Sequence, residues 1–153
     1  MKKEIKTEKV LQVYNVVNTA KYTKMNDDDK VKVWKIVRIL KPIATKFDED
    51  AKDAAEKLRP SEDFTERLQK AQQFEKAKKE GKDYDGMASA EYAQFIDEFK
   101  EYNDLVNKAV KEFADTIVEL EFNPISEDAF GKLMSSNEWT MEQVMLVGDI
   151  ICE

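Results

Sequence analysis

The chain has 153 residues, 42% of them hydrophobic and 37% charged, with one cysteine and no histidine. A formal charge of -7 repels phosphate backbones and argues against direct nucleic-acid binding. The missing histidine removes the commonest general base and metal ligand, every Ser-His or Cys-His nucleophile pair, and the Glu-x-x-His pairs of di-iron bundles.

Cys152 alone leaves no internal disulfide and too few thiols for zinc. No apolar run approaches a membrane span. The opening Met1 to Lys6 has no apolar stretch behind its lysines, so no signal peptide is expected. A single domain over residues 1–153 and a cytoplasmic setting follow as expectations.

In chain order, Thr7 is placed to cap a short helix in which Val10, Val13, Tyr14 and Val17 share a face. Lys21 to Met25 is a short extended candidate. Asn26 followed by Asp27, Asp28 and Asp29 is a strong start signal, because those charges favour the positive end of a helix. The helix it opens is expected to reach Leu58. Within it Val33, Val37, Leu40, Ala44, Phe47, Ala51, Ala54 and Leu58 follow an unbroken 3-4-3-4 spacing. Such spacing keeps one narrow seam facing a partner helix. Val31, Trp34, Ile36, Ile39 and Ile43 widen the apolar arc of the first half, which is therefore expected to touch several neighbours. Pro42 predicts a kink or a break, and Arg59-Pro60-Ser61 ends the element.

Residues 61–80 read as a weaker helix with Phe64, Leu68, Ala71 and Phe74 on one side, terminated by Gly81. Lys82 to Met87 is a loop. Ser89 opens a second seam helix, with Tyr92, Phe95, Phe99, Tyr102, Val106, Ala109 and Phe113 in register, running to about Asp115. The period then changes: Val118, Leu120 and Phe122 alternate with Glu119 and Glu121, a strand that stops at Asn123-Pro124. A strand needs a partner for its backbone groups, and Lys21 to Met25 is the expected one. Ser126 opens a helical turn through Phe130 to Leu133. Thr140 and Gln143 form a capping box for the last helix, with Trp139 and Val144 as its hydrophobic staple.

Together these elements predict a mainly α fold. Its body is a long antiparallel helical hairpin with an additional middle helix and a small base containing a minor two-stranded β element. Residues 61–88 form a helical insertion or connector at the far end of the hairpin. An up-down-up bundle with the middle helix folded back is the competing arrangement.

Candidate chemistry is sparse. Asp48, Glu49, Asp50 and Asp53 cluster, as do Glu98 with Glu101 and Glu112 with Asp115, but acids spaced four from lysines are routine on solvated helix faces. Asp83-Tyr84-Asp85-Gly86 followed by Glu91 partly matches a calcium loop. Gly81 holds the first ligand position, however, and Tyr92 stands where the bidentate acid belongs. No catalytic, cofactor-binding or metal-binding residue is assigned, and no cofactor or small-molecule substrate is expected. The candidate partner contacts are Trp34, Ala51, Ala54, Trp139 and Met145, since tryptophan and methionine anchor partner surfaces. For Trp34 a core position is the favoured expectation, given the arc around it, and a partner contact is the alternative. Cys152 is expected to be an inert tail thiol.

Five features occur in a particular order: the short helix Val10 to Val17, the basic stretch Lys21 to Lys24, and the long Lys-rich helix from Val31 to Phe47. The stretch Val118 to Ile125 (Val-Glu-Leu-Glu-Phe-Asn-Pro-Ile) and a closing helix around Trp139 to Ile151 complete it. This order resembles a group of small, acidic, uncharacterised helical proteins of bacteriophages and prophages, often encoded among virion-morphogenesis genes. The resemblance covers both ends and the first long helix, and brings no catalytic residues with it. It implies a non-enzymatic interaction or assembly protein in the host cytosol or the virion, acting on a protein partner or on itself. The alternative is an acidic inhibitor that mimics DNA and blocks a nucleic-acid-binding protein; the interspersed Lys76, Lys78, Lys79 and Lys82 interrupt the carboxylate rows it would need.

Overall fold

The computed structural model describes residues 1–153. The fold is mainly α, with six helices and a two-stranded antiparallel sheet. The elements are β1 (Lys2–Lys6), α1 (Thr7–Asn18), α2 (Asp27–Lys57), α3 (Phe64–Lys79), α4 (Ser89–Asp115), β2 (Ile117–Glu121), α5 (Glu127–Ser135) and α6 (Met141–Ile151). They form two compact units, one of Met1–Asp50 with Glu112–Glu153 and the other of Ala51–Lys111. The two long helices α2 and α4 each contribute residues to both.

The first unit is built around one apolar core. Val10, Val13 and Val17 of α1 are buried with Val33, Ile36 and Leu40 of α2, Leu133 of α5, and Val147 and Ile151 of α6. In α1 the spacing predicts the buried face correctly, but Thr7 does not cap the helix. Lys6 occupies the cap position without a side-chain bond, and the Thr7 hydroxyl instead donates to the Thr116 carbonyl at 2.8 Å.

The expected pairing of Lys21–Met25 with the late strand is corrected: β2 pairs with β1, in the register Lys3↔Leu120 and Ile5↔Val118. The loop's donors go elsewhere. Asn137 Oδ1 accepts from the Lys21 N–H at 2.8 Å, and Ser136 Oγ accepts from the Lys24 N–H at 3.0 Å. With those side chains in place the loop needs no strand partner. Strand β1 carries little apolar signal, because Ile5 is its single apolar residue. Its lysines provide the rest: Lys2 Nζ lies 3.3 Å from Glu119, and Lys3 Nζ donates to the carbonyls of Asp149 and Ile150 at 2.9 Å each. Those carbonyls belong to the last turn of α6, which has no intrahelical donors left and attracts a cation.

Helix α2 starts as its sequence predicts, with Asn26 Oδ1 accepting from the Asp29 N–H at 2.8 Å. It runs unbroken past Pro42, which is exposed. The donor that proline lacks would serve the Arg38 carbonyl, and on an exposed face water can take that role. Helices α5 and α6 carry the expected caps: Ser126 accepts from the Ala129 N–H, and Thr140 and Gln143 form the reciprocal box. Helix α5 is longer than the expected single turn, ending at Ser135.

In the second unit, α3 and α4 form an antiparallel pair. Phe64, early in α3, lies 4.7 Å from Tyr102 between ring centroids, while Phe74, late in α3, lies 4.4 Å from Tyr92. The Tyr92 to Tyr102 part of the second seam is thus covered by α3. Arg67 Nη1 reaches Glu98 at 2.8 Å across the same pair. The end of α2 joins this unit through the Tyr102 hydroxyl, which donates to the Ala55 carbonyl at 2.6 Å. Gly81 stops α3 with φ +67, the Lys82 N–H bonding to the Ala77 carbonyl and the Gly81 N–H to that of Lys78. This is the Schellman arrangement, which left-handed glycine permits.

Candidate functional site

The face of α2 around Trp34 combines features that a folded chain normally hides. Trp34 is 54% exposed and its neighbour Val31 is 48% exposed, which corrects the expectation that both belong to the inward arc. Helical geometry supplies the reason. The buried stripe Val33, Ile36, Leu40 and Ala44 occupies one side, and Trp34 lies about 100° round the helix from Val33, with Val31 about 160° away. One helix buries one stripe here, and these residues fall outside it.

Trp34 also lines a hollow of about 260 Å³ with Val17, Asn18, Tyr22, Lys30 and Val37. The Tyr22 hydroxyl closes one side by donating to the Val17 carbonyl at 2.7 Å, and burial pushes its phenol above the ordinary tyrosine range. The Arg38 guanidinium lies 4.7 Å from the centroid of the Trp34 ring, a cation–π contact that orients the ring. The first turn of α2 is acidic, and its Asp27 lies 4.0 Å from Lys30; beyond it the charge is one-sided. Lys30, Lys32, Lys35, Arg38, Lys41 and Lys46 follow one another from residue 30 to 47 with no acid between them, in a chain whose net charge is -7. That segregation is readable in the linear sequence; the outward placement of Trp34 is not.

The other predicted contacts lie elsewhere. Met145 is 61% exposed on α6, beside Met141 at 71%. Trp139 packs against the core of the first unit. Ala51 and Ala54 are half-buried on the second unit's part of α2. Of the five, Trp34 and Met145 are the two with large exposed apolar surface.

No group of three or more His, Cys, Asp or Glu side chains is close enough to hold a metal ion. In the Asp83 to Gly86 loop the Tyr84 hydroxyl bonds to Gln73 at 2.6 Å, and its ring lies where a Cβ on residue 86 would project. That loop serves to seat an aromatic side chain. Cys152 is half-buried, and Ile125 forms a parallel bridge with it. Burial, with Glu127 nearby, pushes its thiol above the ordinary range. No helix is long and apolar enough to cross a membrane. Comparison with protein-family models, with curated proteins and with solved structures finds no match.

Proposed function

We propose that this is a non-enzymatic interaction protein that engages a protein partner through the Trp34 face of α2. The observation that carries the reading is a tryptophan more than half exposed, held by Arg38 at the mouth of an apolar hollow. Tryptophan and arginine are the residues most often found at the energetic centre of protein interfaces. An assembly role encoded by a phage or prophage is part of the proposal, and it rests on the order of elements described from the sequence. The cationic run from Lys30 to Lys46 favours this reading over a DNA mimic, which requires uninterrupted carboxylate rows.

The test is photo-crosslinking from position 35, adjacent to Trp34, in the cell that naturally carries the gene. A discrete adduct, identified by mass spectrometry and lost with Trp34→Ala, is the expected result. Absence of any protein adduct overturns the proposal.

A further inference from the structure

Resting on that reading of the Trp34 face, we propose that its occupant is a second copy of this chain, presenting the outer face of α6. That face is formed by Met141, Glu142, Met145 and Asp149, all four exposed. Positions 141, 145 and 149 are four apart and 142 is three before 145, so the four residues share one side of the helix. The two methionines are among the most exposed large apolar side chains in the molecule, at 71% and 61%. Within the helix its charge is the reverse of the α2 face: from Leu133 to Glu153 the chain has Glu138, Glu142, Asp149 and Glu153 and no basic residue. Lys3 of β1 caps the last turn through the Asp149 and Ile150 carbonyls, so Glu142 is the acid of this face farthest from that cation.

The two faces match in chemistry and in size. On α2, Lys30, Trp34, Arg38 and Lys41 mark a stripe about 16 Å long; on α6, Met141 to Asp149 spans about 12 Å. Methionine packs adaptably on an aromatic ring, with its sulfur about 5 Å away. The acids of α6 then face the cations that surround Trp34, so the polar rim and the apolar centre are satisfied together. Both faces lie in the first compact unit, and each is exposed in the single chain, so neither covers the other within one copy. Every copy carries both faces, so a two-fold arrangement that sets each α2 face on the other copy's α6 face forms the contact twice and closes, and any other rotation continues head to tail.

The inference is tested by sedimentation equilibrium of the purified chain and two charge-reversed variants. Arg38→Glu with Lys41→Glu makes both faces acidic; Glu142→Lys with Asp149→Lys makes both faces basic. The wild type is expected to self-associate, and about 1 M salt, where the screening length is about 3 Å, to weaken it. Each variant alone is expected to associate at least about tenfold more weakly, with far-UV circular dichroism unchanged. Mixing the two variants is expected to restore a complex, which a merely misfolded variant would not do. A wild type that stays monomeric, reversals that leave association intact, or a mixture that fails to associate would each overturn the inference. These outcomes separate it from the function proposed above: a position-35 adduct to some other protein sinks the self-contact and leaves the interaction face standing.

Discussion

Thr7 and Thr116 are held together by two hydrogen bonds to one atom. The Thr7 N–H and the Thr7 hydroxyl both donate to the Thr116 carbonyl, at 2.9 and 2.8 Å. The contact joins the start of α1 to the residue immediately before β2, at the point where the β1–β2 pairing ends. Thr7 is also the buried polar residue of the core, 6% exposed. Thr7→Val keeps the shape and the backbone bond while removing the hydroxyl. It is expected to lower stability by about 0.5–1.5 kcal/mol, read from the urea midpoint at constant slope.

Tyr102 performs a similar service in the second unit. Ala55 lies in the last turn of α2, where carbonyls lack intrahelical donors, and the Tyr102 hydroxyl supplies one. Tyr102→Phe retains the ring contact with Phe64 and leaves that carbonyl to solvent. A loss of about 1 kcal/mol is expected, measured by thermal unfolding; an unchanged midpoint would mean the bond contributes nothing net.

Gly81 isolates a backbone effect. Its φ is +67 and nothing lies within 4 Å of the place where a Cβ would go. Gly81→Ala therefore meets no steric obstacle, and its expected cost of about 1–2 kcal/mol is wholly that of left-handed backbone with a side chain. Gly81→Asn is expected to recover part of it, since asparagine tolerates that region better. Chemical denaturation of the pair checks both values.

Trp34 and Leu40 should separate binding from folding. Leu40 is fully buried, at 0% exposure, and Leu40→Ala is expected to cost about 2–5 kcal/mol. Trp34→Ala is expected to stay within about 0.5 kcal/mol of wild type, while abolishing the position-35 adduct. A large stability loss at Trp34 would instead make it a structural residue.

The Cys152 thiol gives a pH-dependent readout. Burial raises its pKa in the folded chain, and the thiolate is the form that attacks a disulfide reagent. At a pH near the ordinary thiol value the folded protein therefore carries less thiolate than the unfolded one. Its reaction with an aromatic disulfide should be slower when folded, accelerate as pH rises, and accelerate again in denaturant. A thiol equally reactive in both states would contradict the burial.

Local signals carried the helices. Asn26 before three aspartates, Gly81 after α3, and the Thr140–Gln143 box each act through atoms a few residues away, so their consequences are visible in the linear chain. Both seams are inward as well: Val33, Leu40 and Ala44 are buried, as is Phe95, and no seam residue is exposed. What covers them was not visible. The spacing states that a partner helix exists, and the Phe64 to Phe74 face of α3 supplied it for Tyr92 to Tyr102 only once the chain had turned back at Gly81.

By itself, then, the sequence determined the helices, the late strand and the seam of each long helix that avoids water, because hydrophobic period and most of the helix-end signals are local quantities. The first strand it did not reveal. Tertiary structure alone decided that Lys2–Lys6 pairs with β2, since a strand with one apolar residue is stabilised by distant partners: Leu120 and Val118 beside it, and the end of α6 beneath Lys3. It also decided that Trp34 faces outward. A helix of 31 residues carried more apolar side chains than one buried stripe could accept, and only the placement of its neighbours settled which of them remained in water.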